Sequence, residues 1–319
     1  MMNMGLLKAA LYRPQGLDSD IPVLPESTIR KELQINTLHC ERYNKAVNWK
    51  LGIASVIHPN YLQVLTLPMQ LEMMISEPFP FKPMGLVHLA NHIEFNYLPE
   101  QNAKMLLQTS FNGLTWHKNG WVFALLSEGF VNGKLAISAT SYYLSRQRHS
   151  QVNKNPNVTK DVVFDTVNFD AATSKTTAAP KFAAEMPTID ELLPPFDGSV
   201  DMHFPLGIGR QYARVSGDFN PIHLSRWTAK LMGFKQAIAH GMYSKALCLS
   251  VILKQEMQSR KGALAQTPMQ VSTQFIQPIY LPTRCELNIK REGDSLGFSL
   301  SSKNRSKTRE HLRTTVVIA

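Results

Sequence analysis

Two parts of the chain introduce long apolar stretches with similar residues. His58-Pro-Asn-Tyr61 precedes one such stretch, and His240-Gly-Met-Tyr243 precedes another 182 positions later. A second landmark, Tyr-Leu-Pro, recurs at Tyr97 and Tyr280 with an offset of 183. Two landmarks that repeat at nearly the same spacing predict a duplicated domain, so the chain is expected to fold as two copies of one unit.

Each copy is expected to combine one long helix with several strands. The stretches Leu62–Ile75 and Ser244–Met257 are apolar on most sides of a helix, so each helix should be wrapped by a sheet. This order, a helix followed by antiparallel strands, predicts the α+β class. The expected strands are Met105–Ser110, Trp121–Glu128, Ile137–Leu144, Cys285–Lys290, Gly297–Ser302 and Thr314–Ile318.

The length of the chain agrees with two domains. Its 319 residues match two units of roughly 150 residues each, and a hydrophobic content of 44% allows each unit to bury a core. The region between the copies is rich in Thr, Ala, Asn and Pro, which is typical of a linker. We therefore predict domains at residues 1–146 and 199–319, joined by a linker at residues 147–198.

Composition excludes several classes of protein. No run approaches the roughly 20 apolar residues that span a bilayer, and the first residues show no convincing signal-peptide cleavage site, so a cytoplasmic protein without membrane insertion is expected. Cys40, Cys248 and Cys285 are too far apart for a zinc knuckle or a disulfide framework. The formal charge of +10 favours an anionic partner.

One short segment, YARVSGDFNPIH, carries residues suited to catalysis. Residues 208–215 can form one or two helical turns, Gly217 permits a left-handed backbone, and Pro221 prevents the helix from continuing. Asp218 and His223 are therefore expected on a rigid, irregular loop. An aspartate and a histidine held in this way can bind a water between them and act as a general acid–base pair.

A glycine begins the second long helix. Gly241 follows His240 at the predicted helix start, where backbone N–H groups have no partner within the helix and the helix dipole is positive. Such a site can polarise a carbonyl oxygen as an oxyanion hole. An acid–base pair, a water and an oxyanion donor together suit the addition of water to a double bond conjugated with a carbonyl group.

The segment YARVSGDFNPIH, with Ala229 six residues further on, resembles the signature of the MaoC-like, or type 2, (R)-specific enoyl-CoA hydratases. The run IAHGM at residues 238–242 resembles the turn by which that family enters its central helix. The similarity covers the region from Val200 to the C-terminus. The first half shares only landmarks, as in double hot-dog members that carry a degenerate N-terminal copy.

The resemblance implies a double hot-dog fold, in which an antiparallel sheet wraps a long central helix in each unit. It also implies that Asp218 and His223 activate a water, that Asn220 orients this water or the loop, and that the N–H of Gly241 binds the thioester oxygen. The implied reaction is reversible syn hydration of trans-2-enoyl thioesters to (R)-3-hydroxyacyl thioesters. The substrate would be carried by CoA or acyl carrier protein, with no metal and no redox cofactor.

The first half is expected to be catalytically silent. The region before His58 contains His39 but neither an aspartate nor a glycine turn near it. Pro59 takes the place of the helix-opening glycine and has no N–H to donate. One active site per chain follows, and the degenerate copy could leave room for bulky acyl groups.

Basic residues outside the motif admit two interpretations each. Lys245 lies inside an apolar helix and either reaches the surface or meets a phosphate or carboxylate of the substrate. Lys303, Arg305, Lys307 and Arg309 alternate with uncharged residues, which predicts one basic face of a hairpin. That face is either solvated at a sheet edge or binds the phosphates of CoA or an acidic carrier protein. No aromatic residues interleave it, so nucleic acid is not an expected partner.

His88 and His92 are the remaining pair with ligand-like spacing. Their surroundings predict a strand, on which residues four apart share a face without converging on one metal. Two other functions fit the same fold: a non-catalytic protein that binds acyl-CoA in its groove, and a hot-dog thioesterase. Because two units can form an internal pseudo-dimer, both a monomer and a homodimer fit the sequence.

Overall fold

The computed structural model describes residues 12, 14, 22–49, 56–76, 78–146, 198–259, 263–293, 295–304 and 307–319. The linker predicted at residues 147–198 lies outside these ranges except for Gly198, so its limits stay a prediction. No helix in the described ranges is long and apolar enough to cross a membrane.

Helices and strands occur in a similar order in the two halves. The N-terminal half contains β1 (Thr28–Gln34), α1 (Thr37–Ala46), α2 (Tyr61–Ile75), β2 (Val87–Phe95), β3 (Lys104–His117), β4 (Gly120–Val131) and β5 (Lys134–Arg146). The C-terminal half contains β6 (Gly198–Phe204), α3 (Ile208–Ser216), α4 (Pro221–Leu224), α5 (Arg226–Leu231), α6 (Gly241–Ser259), a 3-10 turn (Ala263–Gln266), β7 (Met269–Phe275), β8 (Thr283–Glu292), β9 (Ser295–Asn304) and β10 (Lys307–Ile318).

The ten described strands form one antiparallel sheet. Counted from its own edge towards the middle, each half has its strands in the same order. The order is β1-β3-β4-β5-β2-β7-β10-β9-β8-β6, so each half contributes five strands in the sequence first, third, fourth, fifth, second. The halves join where β2 pairs with β7 and Asn91 lies opposite Thr273. These two residues are themselves 182 positions apart, the spacing of the sequence repeat. The predicted duplication is thus visible as a two-fold relationship.

The long helices α2 and α6 supply the centre of each half. Apolar residues on several sides of each helix are buried, among them Leu62 and Met69 on α2 and Leu249 and Ile252 on α6. They belong to one core cluster that includes residues of both five-stranded halves. A sheet that covers a central helix in each of two tandem units is the double hot-dog arrangement, and the expectation of an α+β fold is confirmed.

The strands predicted from residue pattern all occur, but several elements were not predicted. They include the edge strands β1 and β6 and the helices α1, α4 and α5. Strand β1 is largely exposed and lacks the apolar alternation that marks a strand in sequence. In β6, by contrast, Val200, Met202 and Phe204 alternate with polar residues, a pattern that was overlooked. Helix α1 has a low content of apolar residues and begins at an Asn36 cap, whose side chain accepts the N–H of His39 at 3.0 Å.

The predicted basic face of the β9–β10 hairpin is wrong in one respect. Lys303 pairs with Thr308, whereas Arg309 pairs with Ser302. Paired residues share a face and neighbouring residues alternate, so Lys303 lies on the face opposite Lys307 and Arg309. The pairing register between the two strands decides the faces, which a count along the sequence does not reveal. Arg305 lies outside the described residues.

Candidate active site

Asp218 lies on a short loop between two helices and His223 lies on the second of them, so the expectation that both residues share one irregular loop is wrong for His223. Helix α3 ends at Gly217, whose φ of 75° is left-handed and favours glycine. Helix α4 begins at Pro221, and the Oδ1 of Asn220 accepts the N–H of Ile222 at 3.4 Å as its N-cap. The structure therefore places Asn220 as a brace of the loop, and its side chain also borders the cavity described below.

Close contact between the two helices depends on a second glycine. A Cβ atom added to Gly209 of α3 would lie 2.0 Å from the backbone oxygen of His223. Real Cβ atoms do not approach backbone oxygens this closely. Gly209 consequently allows α3 to lie against the backbone of His223 and fixes the distance between the two helices.

Asp218 is oriented by its own loop. Its N–H donates to the Oγ of Ser216 at 3.2 Å, and its Oδ1 accepts the N–H of Asn220 at 3.1 Å. Burial by itself would raise the pKa of this carboxyl group, but His240, His223 and the N–H of Asn220 outweigh it and hold the pKa of Asp218 below its usual value. The group is therefore an ionised acceptor at neutral pH.

The tautomer of His223 follows from its hydrogen bond. Its Nδ1 donates to the backbone oxygen of Ile238 at 2.9 Å, so in the neutral ring Nε2 carries the lone pair. Burial and the neighbouring His240 together lower the pKa of His223 to about 3, against the opposing effects of Asp218 and of the hydrogen bond to Ile238. His223 is thus a neutral base at physiological pH.

His240 is a part of the site that the sequence reasoning did not assign. Its ring stacks on His223 with centroids 3.7 Å apart, and its Nε2 donates to the backbone oxygen of Asp218 at 2.9 Å. The same Nε2 lies 3.9 Å from the Oδ2 of Asp218. A histidine stands just before the long helix in both copies, His58 in the first and His240 in the second. This recurrence could have indicated that His240 is important.

Gly241 begins α6, as predicted. The first N–H groups of a helix have no acceptor within it, so the N–H of Gly241 is available to a ligand. A Cβ atom at this position would lie 3.0 Å from the ring of Phe275. The glycine therefore lets the helix N-terminus approach this aromatic wall closely.

These residues line one cavity of about 400 Å³ to which both halves contribute. The C-terminal half supplies Asp218, His223, His240 and Gly241. The side chain of Asp218 keeps 38% of its surface accessible, which leaves the carboxylate open to a ligand. The N-terminal half supplies mainly apolar residues of α2 and its neighbourhood, together with a few polar ones: Val64, Leu67, Leu71, Met74, Gln63, His88, Tyr143 and Arg146.

A β-bulge separates the two histidines of β2. The register of β2 against β5 shifts between His88 and Ala90, so that His88 pairs with Tyr143 and His92 pairs with Thr140. His88 therefore shares the inner face of Tyr143, while His92 lies on the opposite face and bonds the Oγ of Ser272 at 2.7 Å. The expectation that the two histidines share a face is wrong, because one extra residue reverses the alternation.

Lys245 lies buried between the two halves, away from the cavity. Its side chain is fully buried, and its Nζ donates to the Oδ1 of Asn91 at 2.5 Å and to the backbone oxygen of Asn91 at 3.4 Å. Burial lowers the pKa of Lys245 well below its usual value. Both interpretations from the sequence are corrected: the amine neither reaches the surface nor meets the cavity, and it joins α6 to β2 of the other half.

Lys303 is exposed on β9 and forms an ion pair with Glu286 at 2.9 Å. The paired ammonium group is compatible with the solvated interpretation of the hairpin. A role for Lys303 or Arg305 in binding the carrier stays a prediction.

Asp218, His223 and His240 resemble a metal site by distance alone. Each offers one ligand atom, and these atoms lie within 4.8 Å of one another. Imidazoles that share a metal direct their lone pairs at a point about 2 Å from each nitrogen. Rings stacked 3.7 Å apart with planes inclined by 26° instead keep their lone pairs in two separate, nearly parallel planes, which do not meet at such a point. The donor set therefore does not fit a metal well, and a metal-free site stays a prediction.

The corresponding region of the N-terminal half is built differently. His39 lies on α1 and bonds the hydroxyl of Tyr61 through its Nδ1 at 2.7 Å. His58 is fully buried, and its Nε2 bonds the backbone oxygen of Ala246 at 3.2 Å. Helix α2 begins at Tyr61 after Asn60, so Pro59 lies just outside the helix. As a proline it has no N–H to donate. These contacts are consistent with a silent half.

Comparison with known proteins yields one family and several similar chains. Residues 208–312 match the family described as MaoC like domain. The chain is 28% identical over 295 residues to 3-hydroxyacyl-thioester dehydratase X of Mycobacterium tuberculosis, an alignment that covers 92% of this chain and 90% of that protein.

Solved structures agree on the fold. A MaoC-like dehydratase from Phytophthora capsici superposes with a TM-score of 0.68 at 16% identity, over 93% of this chain and 96% of that one. A Mycobacterium tuberculosis protein described as having a double hot-dog fold superposes with a TM-score of 0.54 at 11% identity, over 93% of this chain and 97% of that one.

Proposed function

Because this chain carries a MaoC-like domain within a double hot-dog fold, we propose that it catalyses the reversible hydration of trans-2-enoyl thioesters to (R)-3-hydroxyacyl thioesters. The observation that carries the proposal is the meeting of Asp218, His223 and the N-terminus of α6 at Gly241 in one cavity. The name of the Mycobacterium tuberculosis relative supports the same class of reaction.

The water is held by two acceptors. Ionised Asp218 and neutral His223 lie close enough to accept one hydrogen each from the same water, since a carboxylate oxygen and a ring nitrogen lie within 4.8 Å of each other. On His223 the accepting atom is Nε2, because Nδ1 donates to Ile238. As the water oxygen bonds to C3 of the enoyl group, its proton passes to Nε2 of His223. The imidazolium that forms is stabilised by the carboxylate of Asp218.

The negative charge that develops moves to the thioester oxygen. Addition at C3 converts the conjugated system into an enolate, which the N–H of Gly241 and the positive end of α6 stabilise. The imidazolium of His223 then returns its proton to C2. A hydroxyl group and a proton have been added on the same side, and both catalytic groups regain their starting state.

The remaining features of the proposal concern the substrate. The apolar wall formed by Val64, Leu67, Leu71 and Met74 of α2 suits the acyl chain. The carrier is CoA or acyl carrier protein, in keeping with the charge of +10. The reaction as written needs neither a metal nor a redox cofactor.

The test measures hydration of crotonyl-CoA and longer enoyl-CoAs by loss of enoyl absorbance. Asp218→Asn and His223→Gln should each lower kcat by about 10²- to 10⁴-fold, the usual loss for one acid–base group. Wild-type rates in both variants would contradict the dyad. Binding of acyl-CoA without turnover at any chain length would indicate a binding protein, and release of free thiol would indicate a thioesterase.

A further inference from the structure

The N-terminal half lacks the dyad, yet it contributes a histidine to the wall of the active-site cavity. His88 lines the same cavity as Asp218, His223 and Gly241. The β-bulge after His88 turns this side chain to the inner face of β2, together with Tyr143. Bulges are enriched next to active sites, where they redirect a side chain. Without the extra residue, His88 would share the outer face with His92.

The ring of His88 is fixed by contacts with both halves of the molecule. It stacks on Tyr143 with ring centroids 4.6 Å apart and lies 5.0 Å from the ring of Phe275. Phe275 is the residue that covers Gly241 at the start of α6. His88 is thus separated from the proposed oxyanion site by a single aromatic side chain.

The ring of His88 bonds the backbone of Ala90, but within the described residues one ring nitrogen lacks a hydrogen-bond partner. Its Nε2 is enclosed and has no partner among the residues that the structure describes. An enclosed polar group without a partner typically costs about 1–3 kcal/mol. Such a group in a cavity wall is expected to gain its partner when a ligand binds.

The charges near His88 limit the kind of partner. Burial and Lys245 together lower the pKa of His88 to about 3, against opposing effects of Asp218 and of the hydrogen bond to the backbone of Ala90. The ring is therefore neutral at physiological pH, and because its other nitrogen donates to Ala90, Nε2 can accept the hydrogen of a neutral hydroxyl group. Asp218 is within electrostatic reach, and the water that Asp218 binds becomes the C3 hydroxyl of the product.

We propose that His88 contacts the substrate by hydrogen-bonding the oxygen at C3 of the 3-hydroxyacyl thioester. This inference rests on the proposed function, since it assigns one more contact in the same site. It makes the active site a product of both halves: the C-terminal copy supplies the acid–base chemistry, and the silent copy supplies recognition of the hydroxyl group.

The test compares two ligands that differ only in this hydroxyl group. Binding of (R)-3-hydroxybutanoyl-CoA and of butanoyl-CoA is measured by calorimetry in the Asp218→Asn background, so that neither ligand is converted. Adding His88→Phe, which keeps an aromatic ring, should weaken the hydroxylated ligand about 5- to 10-fold, in line with one hydrogen bond. Butanoyl-CoA should bind unchanged, and His88→Gln should restore part of the lost affinity.

His92→Phe is the matched control, because it changes a histidine of the same strand on the opposite face. It should alter neither affinity. Equal weakening of both ligands by His88→Phe would indicate a packing role and overturn the proposal, as would unchanged affinities or failure of the parent variant to bind the hydroxylated ligand. The binding measurements test only the contact of His88 with the hydroxyl group. The proposed function is tested separately, by hydratase activity of the wild type, and its absence would contradict that function.

Discussion

The imidazole rings of His223 and His240 stack with centroids 3.7 Å apart and planes inclined by 26°. Each ring also bonds a backbone oxygen of the segment that carries the other: His223 bonds Ile238, and His240 bonds Asp218. The two histidines therefore lock the catalytic loop to the segment that leads into α6. His240 holds the dyad in position through these contacts.

We predict that His240→Phe lowers kcat for enoyl-CoA hydration by about 10-fold, the equivalent of one hydrogen bond near 1.4 kcal/mol. The phenyl ring can still stack on His223 but cannot bond the oxygen of Asp218. His240→Ala removes both contacts and should lower kcat further, with a smaller change in KM. Steady-state kinetics check this, and a wild-type kcat in His240→Ala would contradict the positioning role.

Replacing Gly241 by proline removes its N–H, and the silent half already has a proline at the equivalent position. Gly241 aligns with Pro59 of the silent half at the repeat spacing of 182. Gly241→Pro deletes the proposed oxyanion donor and should lower kcat by about 10²- to 10³-fold. Gly241→Ala is the matched control, because its Cβ meets the same Phe275 ring while the N–H remains. Equal kcat values in the two variants would show that contact of the new side chain with Phe275, rather than loss of the N–H, lowers the rate.

Gly209 should tolerate no side chain. A Cβ at this position lies 2.0 Å from the oxygen of His223, so Gly209→Ala must move α4 and the histidine it carries. We expect a loss of about 1–3 kcal/mol in the free energy of unfolding and a lower kcat. Gly297→Ala on β9 has open space around its Cβ and serves as the control. Thermal unfolding and steady-state kinetics of both variants test this. Equal stability and equal kcat in the two variants would contradict the close contact between Gly209 and the backbone of His223.

The free energy of unfolding should fall as the pH is lowered from 6.5. Burial lowers the pKa of His58 and His88 to about 3, as it does for His223, whereas an unfolded histidine titrates near 6.5. Between these values the unfolded chain binds more protons than the folded one, so acid favours unfolding. The depressed pKa of Asp218 acts in the same direction, with stability lost as pH falls below the unfolded value near 3.9.

Urea unfolding at pH values from 7.5 to 4.5 measures this dependence. Each buried histidine contributes up to about 1.4 kcal/mol per pH unit within the window. His58→Gln, which lies outside the active-site cavity, should reduce the slope. A free energy of unfolding that is constant from pH 7.5 to 4.5 would contradict the neutral burial of these rings.

Local residue patterns predicted much of the fold. The helix at residues 208–216 and the left-handed Gly217 each depend on neighbours in sequence, and the structure has them as expected. The short helix α4 that begins at Pro221 was not expected. The central strands and both long helices also follow from their apolar patterns. The exposed strand β1 was missed because pairing at the edge of a sheet, rather than apolar alternation, makes it a strand.

The side chains that complete the site could not be predicted in the same way. The β-bulge that redirects His88 depends on the register between β2 and β5, whose residues lie about 50 positions apart. The burial of Lys245 depends on Asn91, 154 positions away. Neither contact leaves a pattern among the neighbouring residues of the chain.

By itself, the sequence determined that the chain is a duplicated α+β protein and that Asp218, His223 and Gly241 belong to its candidate chemistry, because turns, caps and repeats are local properties. Only the tertiary structure decided that His240 stacks on His223 and that His88 of the other half enters the same cavity. These relationships arise from strand register and packing between the halves, which bring together residues that are distant in the chain.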